Sequence, residues 1–242
     1  MSQIKDKVVF IAGGSGGIGS ACARLFAKAG AKVVITGRNL ETVQTLANEL
    51  NAAGYTVYAK EMQVTDLASV SDAARSTYED LGSIDVLINA FGMGVIQPLL
   101  DINPDSAKEM IDVNVFGTFL VTQTVFRFMN EQKSGRIIMF PGTMGKYVMK
   151  NASLYAATKH ALQGFVKGLI EENRRVPIGF TLMYLGGVDT DFWDAPTVEM
   201  RVQRDKMLSV DEVAKAVYYA ASQPAGSVLN EVVMQPESHQ LV

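Results

Sequence analysis

The chain has 242 residues, 48% of them hydrophobic and 19% charged, with a formal net charge of −3. That length supports a sizeable core within one domain spanning residues 1–242, and nothing in the sequence is basic enough to track a phosphate backbone, so no nucleic acid partner is expected. The single cysteine, Cys22, cannot form an internal disulfide, and His160 and His239 lack the spacing of metal ligands, so no metal site is expected. No run approaches the ~18 apolar residues of a membrane span, and the segment from Met1 to Lys7 carries no apolar signal region. No membrane partner is therefore expected, and the cytoplasm is the default location.

Short apolar runs alternate with longer amphipathic ones. Runs rich in Val and Ile predict strands at Val8–Ala12, Lys32–Thr36, Thr56–Lys60, Ile84–Asn89, Arg136–Phe140, Ile178–Tyr184 and Val232–Met234. Helical periodicity predicts helices at Gly17–Lys28, Leu40–Ala53, Leu67–Leu81, Asp105–Glu131, Ser153–Arg175 and Val210–Ser222. Strand and helix alternating in this way imply an α/β fold. We expect a single doubly wound Rossmann-type domain, with a parallel sheet of about seven strands and helices on both faces. The segment 189–208 contains Trp193 and Pro196 and has no clean period. It reads as a mobile flap over a site or as a plain surface excursion.

The first strand runs directly into Gly13-Gly14-Ser15-Gly16-Gly17-Ile18-Gly19, which opens the first helix. Glycines permit a tight turn and close approach of backbone amides to a pyrophosphate, and the helix N-terminus adds partial positive charge. A nicotinamide dinucleotide is the expected cofactor. NAD-binding units usually carry an acid about 20 residues further on, to bond the ribose hydroxyls. Here the second strand ends Ile35-Thr36-Gly37-Arg38-Asn39, with a guanidinium beside the missing acid. Its charge and forked donors suit a 2′-phosphate, which favours NADP(H). The plainer reading of Arg38 is a solvated loop residue.

Tyr155 and Lys159 stand four apart at the start of a predicted helix, which puts phenol and ammonium on one face. A nearby ammonium stabilises a phenolate and is expected to lower the phenol pKa from its usual ~10. Such a pair can give a proton to a carbonyl oxygen as hydride arrives at carbon. With these residues in hand the sequence resembles the short-chain dehydrogenase/reductase family, and ketoreductases in particular. The family's T-G-x-x-x-G-x-G corresponds to Ala12-Gly13 through Gly17-Ile18-Gly19, and its Y-x-x-x-K to Tyr155 and Lys159. Its V-N-x-x-G corresponds to Val113-Asn114-Val115-Phe116-Gly117. Its P-G-x-V-x-T, which contacts the nicotinamide end, corresponds to Leu185 and Gly186-Gly187-Val188-Asp189-Thr190. The resemblance implies cofactor contacts at Gly186, Val188 and Thr190, and a proton relay from Tyr155 through ribose, Lys159 and a water held by Asn114.

The sequence also departs from that pattern. The family serine about thirteen residues before the tyrosine falls on Gly142, so the hydroxyl that would bond the substrate carbonyl is missing. Losing such a donor costs on the order of 10²–10³ in rate. Thr143 follows and either supplies a hydroxyl or bonds its own loop backbone. The family's N-N-A-G is Asn89-Ala90-Phe91-Gly92, and the acid of its D-V pair, which bonds the adenine amine, is Gln63 before Val64. A glutamine carbonyl can still accept that bond. Met93, Met144, Tyr147, Met149, Phe192 and Trp193 are expected to face substrate, which suggests a fairly apolar carbonyl or alcohol substrate.

The resulting expectation is an NADPH-dependent oxidoreductase reducing the carbonyl of an apolar small molecule, with Tyr155, Lys159, Asn114 and Thr143 at the reaction centre. The alternative is a catalytically weak NADP(H)-binding protein serving as sensor or partner. Phe116, Phe119, Leu120, Val121, Val125, Phe126 and Phe128 make helix Asp105–Glu131 apolar over more than one face, so part of it is expected to meet another subunit. The resemblance points to a homo-oligomer, a tetramer or a dimer.

Overall fold

A computed structural model describes residues 3–240. Seven strands form one parallel sheet in the order β3-β2-β1-β4-β5-β6-β7. They are β1 (Val8–Ala12), β2 (Lys32–Gly37), β3 (Thr56–Glu61), β4 (Val86–Asn89), β5 (Gly135–Met139), β6 (Ile178–Leu185) and β7 (Glu231–Met234). The helices are α1 (Gly17–Lys28), α2 (Leu40–Ala52), α3 (Leu67–Leu81), α4 (Pro104–Ile111), α5 (Thr118–Gln132), α6 (Ser153–Glu172) and α7 (Val210–Ala221). This is the expected doubly wound α/β fold. Every residue of β1 is buried, as a strand covered on both faces must be.

Two apolar layers sandwich the sheet. On one face Val9, Ile11, Val33 and Ile35 pack with Phe26 of α1, Leu46 of α2 and Val217 of α7. On the other, Phe10, Val34 and Leu87 pack with Ala74 of α3, Val125 and Met129 of α5 and Val166 of α6. The alternation of these side chains along each strand is the two-residue period of a β-strand read on both faces. Helix starts are fixed locally. Asn39 accepts a bond from the Thr42 amide at 3.1 Å, Asp66 one from Ala68 at 2.9 Å, and Ser209 with Glu212 forms a capping box. No side chain caps α1, which begins from Gly16 with no acid in its first turn.

The predicted helix Asp105–Glu131 is not one regular helix. A π-helical turn, Asp112–Gly117, separates α4 from α5 and carries Asn114. The apolar pattern runs through this turn without a break, so the sequence alone reads it as continuous helix. Strand order reverses between β1 and β4, where Ala12 pairs with Asn89 and the Ala90 amide donates to the Ala12 carbonyl at 2.8 Å. In open sheets of this kind ligands bind at the carboxyl ends of strands at such a reversal. The glycine loop, the 90–97 loop and the 189–208 segment all lie there.

Candidate active site

The glycine loop is shaped by its neighbours. Gly13 has φ +84°, and a Cβ on it would lie 2.8 Å from the Phe91 amide nitrogen. Both conformation and space therefore require glycine there. Gly19 is pressed against the Gly13 carbonyl, while Gly16, Gly17 and Ile18 line the cleft beyond. Ser15 is exposed, and its Oγ lies 3.3 Å from where a Cβ on Gly37 would stand, at the end of β2. The next residue, Arg38, is exposed, and among the described residues its guanidinium makes no hydrogen bond or ion pair. Gln63 is exposed beyond β3, and Val64 packs on Gly117. Asn89 is 4% exposed; its Nδ2 donates to Thr122 Oγ1 at 3.1 Å. Asn89 Oδ1, beneath the glycine loop, is the one buried side-chain polar atom without a partner among the described residues. An uncapped helix start, a glycine cradle that a Cβ would fill, and an orphaned buried acceptor at the strand reversal fit a nicotinamide dinucleotide.

At the other end of the cleft, α6 presents Tyr155 and Lys159 together, as their spacing requires. Lys159 Nζ lies 5.5 Å from the centre of the Tyr155 ring and donates to the Phe140 carbonyl at 3.1 Å. The expected lowering of the phenol pKa does not occur: burial pushes the Tyr155 phenol above its ordinary value. Burial also pushes Lys159 down, to about 8. Desolvation is the cause in both cases, and it favours the neutral form of each group. Asn114 is tied on every side. Its Oδ1 accepts from the Met93 amide at 2.9 Å, and its Nδ2 donates to the Met93 carbonyl at 2.8 Å and to Thr158 Oγ1 at 3.1 Å. With both amide hydrogens used, this side chain locks the loop after β4 to α6 and has no donor left for a water.

The position that aligns with the family serine is unlike a simple deletion. Gly142 has φ +63° and ψ 177°, a region that only glycine occupies at low cost. Its amide donates to the Met183 carbonyl at 3.2 Å, which holds that conformation. A Cβ would meet nothing nearer than the Leu185 carbonyl at 3.5 Å, so the obstacle to serine is the backbone and not the space. Gly142→Ser is therefore expected to lower stability by about 1–3 kcal/mol in urea unfolding instead of simply restoring a hydroxyl. An unchanged unfolding midpoint would refute this. Thr143 is buried and lines the cleft, and no protein group among the described residues bonds its hydroxyl.

The cleft has a volume of about 940 Å³ and includes Tyr155, Lys159, Thr143, Gly186, Val188 and Thr190 in its wall. The expected Met93, Met144, Met149, Phe192 and Trp193 line it as well, but Tyr147 does not, and Val148 takes its place. The 189–208 segment is fastened at both ends. Leu208 donates to the Gly187 carbonyl and Asp189 to the Leu208 carbonyl, each at 2.9 Å. Its middle is laid on the loop after β4: Thr197 Oγ1 donates to the Gly94 carbonyl at 2.6 Å, and the Ile96 amide to the Thr197 carbonyl at 2.8 Å. Phe192 lies over Gly94, with its ring 5.7 Å from that of Tyr155. Gln235, Pro236 and His239, after the last strand, also reach the cleft, as do Arg201 and Lys206. Sequence reasoning missed these five, because no motif or period marks them.

Among the described residues no helix is long and apolar enough to cross a membrane, and no cluster of His, Cys, Asp or Glu could hold a metal ion.

Comparison with known proteins adds an independent line. An uncharacterized oxidoreductase of Staphylococcus aureus strain USA300 is 34% identical over 236 residues, 98% of this chain and 100% of that one. A metagenomic short-chain oxidoreductase, solved in complex with NADP, is 26% identical with a TM-score of 0.83, over 97% of this chain and 99% of that one. A dehydrogenase/reductase of Sinorhizobium meliloti 1021 is 28% identical with a TM-score of 0.86, over 98% of each chain. The profile of the short chain dehydrogenase family matches residues 7–199, which hold both the glycine loop and the Tyr155/Lys159 pair. With its strand order, its glycine cradle and its overall likeness to these oxidoreductases all in agreement, the chain belongs to the short-chain dehydrogenase family.

Proposed function

We propose that the protein is an NADPH-dependent reductase of an apolar carbonyl compound, with Tyr155 as proton donor. The observation that carries this reading is the pairing of half-buried Tyr155 with buried Lys159, facing an apolar cleft that is continuous with the glycine loop. Burying a phenol and an amine together is unfavourable, and an apolar pair would pack better there, so a chemical use accounts for their presence. When bound, the cofactor supplies hydride. Tyr155 supplies the proton to the carbonyl oxygen. Lys159, at about 8, gives up and regains a proton far more readily than an exposed lysine and so suits the restoration of that proton. Thr143, with its hydroxyl uncommitted, orients the carbonyl in place of the family serine. Arg38 and Ser15 receive the 2′-phosphate, a choice supported by the NADP in the metagenomic relative. The test is NADPH consumption over a panel of ketones and aldehydes, with titration of NADPH and NADH in parallel. Equal turnover with NADH would overturn the cofactor assignment.

A second reading is favoured by one observation. The left-handed Gly142 conformation, at the position where the family resemblance would put a serine, supports a protein that binds the cofactor without turning over a carbonyl. Tight NADPH binding with no turnover across the panel would favour it.

The substrate is a small molecule, and the second macromolecular partner is another copy of this chain. The exposed surface that calls for it is smaller than the sequence suggests. Leu120, Val121 and Val125 are buried in their own chain, and Phe126 and Phe128 stack on Phe180 and Tyr78. What remains is Phe116 at 48% and Phe119 at 37% exposure, with Ile111 at 42%. Sedimentation at micromolar concentration is expected to give a dimer or tetramer, and a monomeric mass would refute it.

A further inference from the structure

The cleft wall is chemically uneven. Around Tyr155 it is apolar, with Met144, Met149, Phe192 and Trp193. Its charged or titratable side chains other than Tyr155 are Lys159, Asp191, Arg201, Lys206 and His239. Lys159 sits against Tyr155 and the Phe140 carbonyl, so the rest must account for the outer wall.

The ion pairs of the 189–208 segment leave two of its cations without partners. Arg204 takes up two acids, Asp189 at 3.3 Å and Asp194 at 2.6 Å. Glu199 accepts from Gln97 at 2.6 Å, and Asp205 is not in the cleft wall. Arg201 and Lys206 make no side-chain hydrogen bond or ion pair among the described residues, although both line the cleft. Against them the wall carries one carboxylate, Asp191, while His239 adds a ring nitrogen and Gln203 and Gln235 add amide donors. A guanidinium and an ammonium at the mouth of a cleft, with no carboxylate paired to either, together raise the positive potential met by an anionic oxygen group entering it, an attraction that salt screens because both side chains are exposed.

We propose that Arg201 and Lys206 form an anion-receiving rim on this cleft, so that the preferred substrate is an apolar carbonyl compound carrying an anionic oxygen group. The proposal rests on the reductase reading and names its substrate class. The other anion that reaches the same cleft is the cofactor's pyrophosphate, since Gly16 and Gly17 also line it. The experiment separates the two sources.

The probes are 5-oxodecanoate and its methyl ester, which share a ketone and an apolar body and differ by one charge. Dissociation constants for both are measured by calorimetry on protein saturated with NADP⁺, for the unmodified chain and for Arg201→Gln/Lys206→Gln. NADPH affinity is measured for each protein alone. The unmodified protein is expected to bind the acid at least about tenfold more tightly than the ester, and the double variant to lose most of that ratio. Raising ionic strength should erode the ratio in the unmodified protein only, since both cations are exposed. A ratio near one in the unmodified protein, or one that survives the double variant, overturns the proposal. A loss confined to NADPH affinity overturns it too and assigns the rim to the cofactor phosphates. Failure of the reductase reading is a separate result: neither compound would be reduced by NADPH, while the acid-to-ester binding ratio would still report on the rim.

Discussion

Tyr155→Phe abolishes reduction of any carbonyl substrate, with kcat falling by about 10²–10⁴ and NADPH affinity changing by less than about twofold. The substitution removes one hydroxyl and keeps the ring, whose contact with Phe192 at 5.7 Å survives. No bond that holds the fold is lost, so the melting temperature should stay close to that of the unmodified protein. Because burial holds the phenol neutral and Lys159 at about 8, reduction should slow as pH rises through that value and the lysine loses the proton it passes on. A kcat retained in Tyr155→Phe would place the proton donor elsewhere. A reduction rate that stays flat from neutral pH into the alkaline range would remove Lys159 from the relay.

Arg38→Asp reverses cofactor preference. A charge-assisted bond to a phosphate contributes about 1.5–3 kcal/mol, and a carboxylate in its place adds repulsion. NADPH binding should therefore weaken by about 10²-fold or more, while an acid at this position can bond the ribose hydroxyls of NADH. Arg38 is exposed and engages no other described residue, so the change should leave stability within about 0.5 kcal/mol. Fluorescence titration with both cofactors reads the result. If the order of affinities is unchanged in the variant, the 2′-phosphate is received elsewhere.

The sheet was legible because its strands are buried on both faces. Val8–Ala12 and Lys32–Thr36 read as strands because they are short, mostly apolar runs rich in Val and Ile, as strands inside a parallel sheet tend to be, and the second extends one residue further, to Gly37. The Tyr155/Lys159 pairing was legible too, since helix geometry alone brings residues four apart together. The electrostatics were not. Sequence puts a phenol beside an ammonium, but the direction of the shift depends on how much water Phe192 and its neighbours exclude, and burial decided it the other way. Gly142 shows a similar limit. The family resemblance puts a glycine where a serine is expected, and only the backbone dihedrals show that the main chain there lies in a region costly for any residue but glycine. His239 and Pro236 join the cleft because the chain after β7 crosses Gly186, with Pro236 Cδ 2.7 Å from where a Cβ there would stand. Nothing in their spacing announces that path.

The pairing of β1 with β4 also bears on how the chain acquires its fold. Ala12 and Asn89 are neighbours in space, but the whole of β2 and β3 with their helices lies between them in sequence. Closing so long a loop carries an entropic cost before any contact repays it, which slows folding of parallel sheets. The N-terminal strands can pair as they leave the ribosome, and the Gly13 and Gly14 amides can then bond the Thr36 carbonyl, but the turn at Gly13 lacks the backbone it packs against until Ala90 and Phe91 arrive. Nucleotide affinity must therefore appear late in synthesis, after β4 has docked. A nascent chain halted before Asn89 would carry the complete glycine motif without a formed binding site.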